Sequence, residues 1–139
     1  MNNQLKEEYL KTIFHFKKVI NTEFGHNKKD VLSLTDLLIM QCIVDGKNSV
    51  TIANELGLTK AAVSQGTTSL EKKNLITRDI DPDNRRNLTL TLTKEGTHQL
   101  NATNDAFDMA FAEFVKDMGN NNLEQLLKLM RKMTSIIDE

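Results

Sequence analysis

Tryptophan is missing from this 139-residue chain, proline and cysteine occur once each, and no charge of one sign dominates. The lone cysteine, Cys42, rules out an internal disulfide and fits a reducing compartment. No apolar run approaches the ~18 residues that cross a bilayer. The opening MNNQLKEEYLK is polar and charged within its first turns, unlike a secretory signal. A soluble, cytoplasmic protein with no membrane partner is the expectation. His15, His26 and His98 stand far apart, with no pair at ligand spacing, so neither a metal nor another cofactor is expected. Nucleotide-binding loops, nucleophile triads and paired acid–base carboxylates are also missing, which speaks against an enzyme.

A net charge of −1 does not describe a globally basic nucleic-acid binder, but the distribution is uneven. From Leu58 to Lys94, seven basic residues face four acidic ones; from Asp105 onward, four basic residues face seven acidic ones. A basic middle with acidic flanks suits a protein whose centre meets a polyanion.

Apolar periodicity organises the rest. Leu5, Tyr9, Ile13, Phe16, Ile20 and Phe24 recur every three or four residues, an amphipathic helix that GHNKKD interrupts, with Gly25 as its stop. LTDLLIMQCIVD, residues 34–45, is apolar nearly all round and predicts a buried central helix closed by Gly46. Two short helices and two strands follow. From about Thr93 the chain is helical again, marked by Leu100, Phe107, Phe111, Phe114 and Met118. GNNN breaks it before a last helix bearing Leu123, Leu126, Leu127, Met130, Met133 and Ile137. The fold class is mainly α with a small β-hairpin, in one domain over 1–139. Its terminal helices, about 1–30 and 95–139, carry apolar stripes too wide for so small a centre, which points to a homodimer.

Within the centre, Ala53, Gly57 and Val63 occupy the small, turn and core positions of a helix-turn-helix. Thr59 is placed to cap the second helix. On that helix, from Lys60 to Lys73, Val63 and Leu70 point inward with Gly66 and Thr67 between them. Ala61, Ser64, Gln65, Thr68 and Lys72 share the opposite face, small and hydrogen-bonding, as a major groove requires.

The segment DIDPDNRRNLTLTLT, residues 79–93, then alternates Leu88, Leu90 and Leu92 with Thr89, Thr91 and Thr93, a half-buried strand entered from a polar turn. Pro82 stiffens that turn. Arg85 and Arg86 at such a tip serve no core, and a guanidinium there suits the narrow, electronegative minor groove. Asp81 and Asp83 brace the turn and hold the arginines in pose. A helix-turn-helix followed by a hairpin is a winged helix, here about residues 31–94, and double-stranded DNA is its expected partner. Thr59 and Lys60 join the expected contacts.

The run LTKAAVSQGTTSLEKKNLITRDIDPDNRRNLTLTLTKEG, residues 58–96, resembles the MarR family of bacterial winged-helix regulators. Its Leu-Ile-x-Arg strand, Asp-Pro-x-x-Arg-Arg wing and Leu-Thr-x-x-Gly start of the next helix carry the likeness, which extends over the helix layout of the whole chain. The resemblance implies a dimeric transcriptional regulator, a repressor released from a palindromic operator by a small-molecule or stress signal. It makes Arg86 the wing arginine and puts Asn84 where the family has an aspartate. Asn74 stands where glycine is usual after the recognition helix, and Gly66 lies within that helix. The resemblance also implies an effector cleft, for which His15, Lys18, Met40 and Phe107 are candidates. Two alternatives are a winged-helix protein–protein adaptor and a redox-sensing regulator using Cys42.

Overall fold

The computed structural model describes residues 2–23 and 32–138, with side chains throughout except at 19–23, 81 and 84–87. Among the described residues six helices and one hairpin follow in chain order: α1 (Asn3–Glu23), α2 (Leu34–Val44), α3 (Ser49–Leu56), α4 (Lys60–Lys72), β1 (Ile76–Asp81), β2 (Asn84–Leu92), α5 (Lys94–Met118) and α6 (Asn120–Ile137). They form two compact units, Met1–Thr103 and Asn104–Glu139. The break expected at GHNKKD, with Gly25, lies outside the described residues, as does His26.

In the first unit each short helix opens on a side-chain cap, because the first backbone N–H groups of a helix have no partner within it. Ser33 Oγ accepts from the Asp36 N–H at 3.1 Å, Asn48 Oδ1 from Thr51 at 2.9 Å and Thr59 Oγ1 from Ala62 at 3.0 Å. Closure relies on left-handed residues. Gly57 ends α3 at φ 65°, and Asn74 follows α4 at φ 62°, where the Leu75 N–H bonds back to the Leu70 carbonyl at 3.0 Å. Asparagine thus does what glycine commonly does at a helix end.

The core is α2 wrapped by its neighbours. Leu37, Ile39, Met40, Cys42 and Ile43 of α2 are buried with Ile52 and Ala53 of α3, Val63 and Leu70 of α4, and Leu75 and Ile76. A Cβ on Gly66 would lie 2.9 Å from Ile39 Cδ1, so the missing side chain lets α4 press close onto α2. Gly66 is a packing residue.

The hairpin closes against the start of α5. Thr93 Oγ1 donates to the Asn74 carbonyl at 2.7 Å and accepts the Gly96 N–H at 2.9 Å, while the Thr93 N–H reaches the Leu75 carbonyl at 3.0 Å. A Cβ on Gly96 would overlap the Leu75 carbonyl oxygen and lie 2.9 Å from its carbonyl carbon. Further along α5, buried Thr103 accepts the Leu32 N–H at 3.1 Å and ties the lead-in to α2.

Antiparallel pairing runs from Ile76–Leu92 to Ile80–Leu88 and then jumps to Asp81–Asn84. Pro82 and Asp83 therefore form the turn, and residues 85–87 of β2 have no partner across the ladder: a bulge. The leucines at 88, 90 and 92 are half-buried while Thr89 and Thr91 are exposed, as the alternation predicts.

The long helices leave many of their apolar residues exposed. Phe14 of α1 is 75% exposed, Met109 of α5 76% and Ile137 of α6 70%. Only Gly119, at φ 86°, separates α5 from α6. The sequence predicted a break over GNNN, but its three asparagines already belong to α6, and the Asn122 side chain donates to the Met118 carbonyl at 3.0 Å.

Two glycine substitutions test this packing by urea unfolding. Gly96→Ala is expected to cost about 3 kcal/mol, since backbone blocks the new methyl. Gly66→Ala is expected to stay within about 1 kcal/mol of wild type, because gained helix propensity offsets displacement of one flexible methyl.

Candidate nucleic-acid interface

The surface expected to meet DNA begins with α4. Its register is set by Val63, Thr67 and Leu70, all buried. Helical geometry then turns residues 61, 64, 65, 68 and 72 the other way. Ala61, Ser64, Gln65 and Lys72 are exposed and Thr68 is half-buried. Thr59 and Lys60 are exposed at the helix start, with the Thr59 hydroxyl already committed to the cap. The face thus offers an amide, hydroxyls and an ammonium at close backbone approach, suited to reading polar edges in a groove. Glu71 is the nearby carboxylate, and it turns toward Arg78, 3.8 Å away.

The wing is placed by its backbone. Arg85 and Arg86 follow the Pro82–Asp83 turn as the second and third residues of β2, within the bulge, rather than in the turn itself. The side chains of Asp81, Asn84, Arg85 and Arg86 lie outside the described residues. Asp83 is exposed in the turn. Bulges commonly sit where a strand must re-aim its side chains.

The candidate effector residues fall in different places. Met40 is fully buried in the first unit and serves its core. His15 and Lys18 are exposed on α1, where His15 lines a concavity of ≈ 380 Å³ with Lys11, Thr12 and Phe16. Phe107 is half-buried on α5 in the second unit. Among the described residues no three His, Cys, Asp or Glu side chains converge, and no helix is long and apolar enough to cross a membrane.

Arg78 escaped the list of candidates. It lies on β1 at a position where the strand's alternation calls for an apolar side chain, and that mismatch was the available signal.

Comparison with known proteins identifies the same architecture. Residues 32–88 match the model of the MarR family. An uncharacterised HTH-type transcriptional regulator of Bacillus subtilis (strain 168), YvnA, is 40% identical over 73 residues, covering 51% of this chain and 46% of that protein. The chain therefore matches less than half the length of that relative. The transcriptional regulator BldR from Sulfolobus solfataricus is 26% identical with a TM-score of 0.70, over 97% of this chain and 99% of that one. The transcriptional repressor CouR, solved bound to a 23-mer DNA duplex, superposes with a TM-score of 0.80 at 20% identity, over 95% and 96% of the two chains.

Cys42 belongs to a separate cluster at the end of α2. Its thiol is buried and points at Glu55 Oε2, 3.9 Å away, and the same oxygen accepts from Lys47 Nζ at 2.7 Å. Burial pushes the thiol pKa up; Lys47 pulls it down, while Glu55 and Asp45 raise it further. The protonated form is thereby favoured, the opposite of a reactive thiolate. Iodoacetamide at pH 8 should modify native Cys42 at least about tenfold more slowly than the unfolded chain. Because the folded thiol holds its proton to higher pH, its contribution to stability is present below the unfolded thiol pKa. It is lost as pH rises through the folded one. The urea midpoints of wild type and Cys42→Ala should therefore converge as the solution becomes alkaline.

Proposed function

We propose that this chain, whose residues 32–88 match the MarR family model, is a MarR-family protein and a dimeric, cytoplasmic DNA-binding regulator of transcription. It acts as a repressor that leaves a palindromic operator when a small-molecule or stress signal arrives. Residues of about 31–94 bind the duplex, and the helices of about 1–30 and 95–139 join two copies.

The observation that carries this reading is the outward face of α4. A merely solvated helix face normally carries Glu and Lys, whereas this one exposes Ala61, Ser64 and Gln65. Gln65 suits an adenine edge, and Ser64 and Thr68 suit phosphate or base edges. Lys60 lies at the wrong end of α4 for the helix dipole, a disadvantage of about 0.3–1 kcal/mol that a bound phosphate reverses. Lys72 adds a second phosphate contact. Arg85 and Arg86 enter the minor groove from the wing, with Asp81, Asp83 and Asn84 supporting the turn. That CouR was solved on a duplex supports placing DNA against this surface.

Dimerisation accounts for the exposed apolar residues of the long helices. Single exposed leucines are ordinary, but a stripe such as Leu5, Tyr9, Leu10, Ile13 and Phe14 on one helix supports an interface between two copies. The adaptor alternative uses the same fold against a protein and predicts indifference to duplex DNA.

Sedimentation should give about twice the 15.8 kDa chain mass, and Phe14→Glu should shift it toward the monomer. On a duplex selected from a random pool by the wild type, Gln65→Ala should relax preference at one position per half-site by roughly 1–3 kcal/mol. Lys72→Ala should instead weaken all duplexes alike and flatten the salt slope by about one unit. Arg86→Ala should lose affinity without loss of fold. Equal binding of selected and scrambled duplexes by the wild type would overturn the reading.

A further inference from the structure

One residue breaks the apolar inner face of the hairpin. Pairing sets Ile76, Arg78 and Ile80 of β1 opposite Leu92, Leu90 and Leu88 of β2, so the six share a face. A half-buried strand keeps such a face apolar, yet Arg78 occupies its centre. Its side chain is only 30% exposed, and its guanidinium reaches across to α4. Nη2 donates to Thr67 Oγ1 at 3.2 Å, and Nε lies 3.8 Å from Glu71 Oε2. Thr67 is buried, and its hydroxyl donates onward to the Ser64 carbonyl at 3.1 Å. A single fork thus spans two successive turns of α4 and, through Thr67, reaches the backbone of a residue on the outward face.

Stability alone does not recommend this arrangement. Among the described residues the Nε–H is a buried donor with no acceptor, and a buried donor is costly to leave unsatisfied. An apolar side chain would fill the strip without that penalty. What the guanidinium contributes is geometry: a rigid planar link between strand and helix. Charge by itself, as a guard against edge-to-edge strand pairing, would be supplied equally by lysine. A lysine ammonium lacks the fork needed to address Thr67 and Glu71 together.

We propose that Arg78 is a positioning residue that fixes the hairpin against α4 and so sets the spacing between the helix and wing contacts on a duplex. The inference rests on the DNA-binding function proposed above. Misplacing the wing then penalises the sequence in which both contacts are made together, and has little effect on loose, non-specific binding.

The test uses a duplex enriched from a random pool by the wild-type protein and a scrambled duplex of the same length. Thermal unfolding verifies that each variant folds. Arg78→Lys and, from the helix side, Thr67→Val should each weaken the selected duplex roughly tenfold, with under about twofold change on the scrambled one. In an Arg86→Ala background, where the wing contact is already gone, Arg78→Lys should add less than about twofold. Equal losses on both duplexes, or a full tenfold loss retained in the Arg86→Ala background, would overturn the role assigned to Arg78. A wild type that enriches no duplex would instead refute the DNA-binding function itself.

Discussion

The outward faces of α4 and the hairpin depend on one close backbone approach, that of Gly96 to Leu75. Leu75 ends the turn after α4, accepts the Thr93 N–H and lies where any side chain on Gly96 would have to go. Thr93 holds both sides, donating to the Asn74 carbonyl and accepting the Gly96 N–H. Three elements therefore meet within one hydrogen-bonded knot: the end of α4, the end of β2 and the start of α5. Such a junction has no slack, because protein interiors are close-packed and backbone cannot yield as a side chain does.

The knot also explains why asparagine succeeds at position 74. Its φ of 62° is needed to turn the chain from helix to strand, and its carbonyl is needed to receive the Thr93 hydroxyl. Asparagine tolerates the left-handed region better than other residues with a side chain. With the end of α4 held there and its body pressed onto Ile39 through Gly66, the helix has a defined rotation. Rotation is what turns Ser64 and Gln65 outward together. The proposed chemistry of the interface is thus a consequence of packing on the opposite side of the helix.

Much of this was legible beforehand, for identifiable reasons. The helix-turn-helix followed from Ala53, Gly57 and Val63, since each position tolerates few residue types. The cap at Thr59 and the outward set on α4 followed from helical period, and the leucine–threonine alternation of β2 from strand period. Other features were not legible. The bulge over residues 85–87 depends on which residues pair across the ladder, and alternation within one strand does not report pairing. Asn120–Asn122 look like a loop by composition, yet α6 begins with them, since one left-handed glycine is enough to end α5. Met40 suited a cleft by its helix face but is wholly buried, because α2 is covered on more than one side.

The sequence by itself determined the element types, the outward face of α4 and the winged-helix class, all of which rest on local periods, caps and turn residues that act over a few positions. Tertiary structure alone decided what the isolated residues do. Gly66 became a contact with Ile39, Gly96 a contact with Leu75, and Arg78 a fork onto Thr67 and Glu71. Each partner lies more than one turn away or on another element, and its distance is set by how the elements pack. No local pattern carries that distance, so it exists only once the chain has folded.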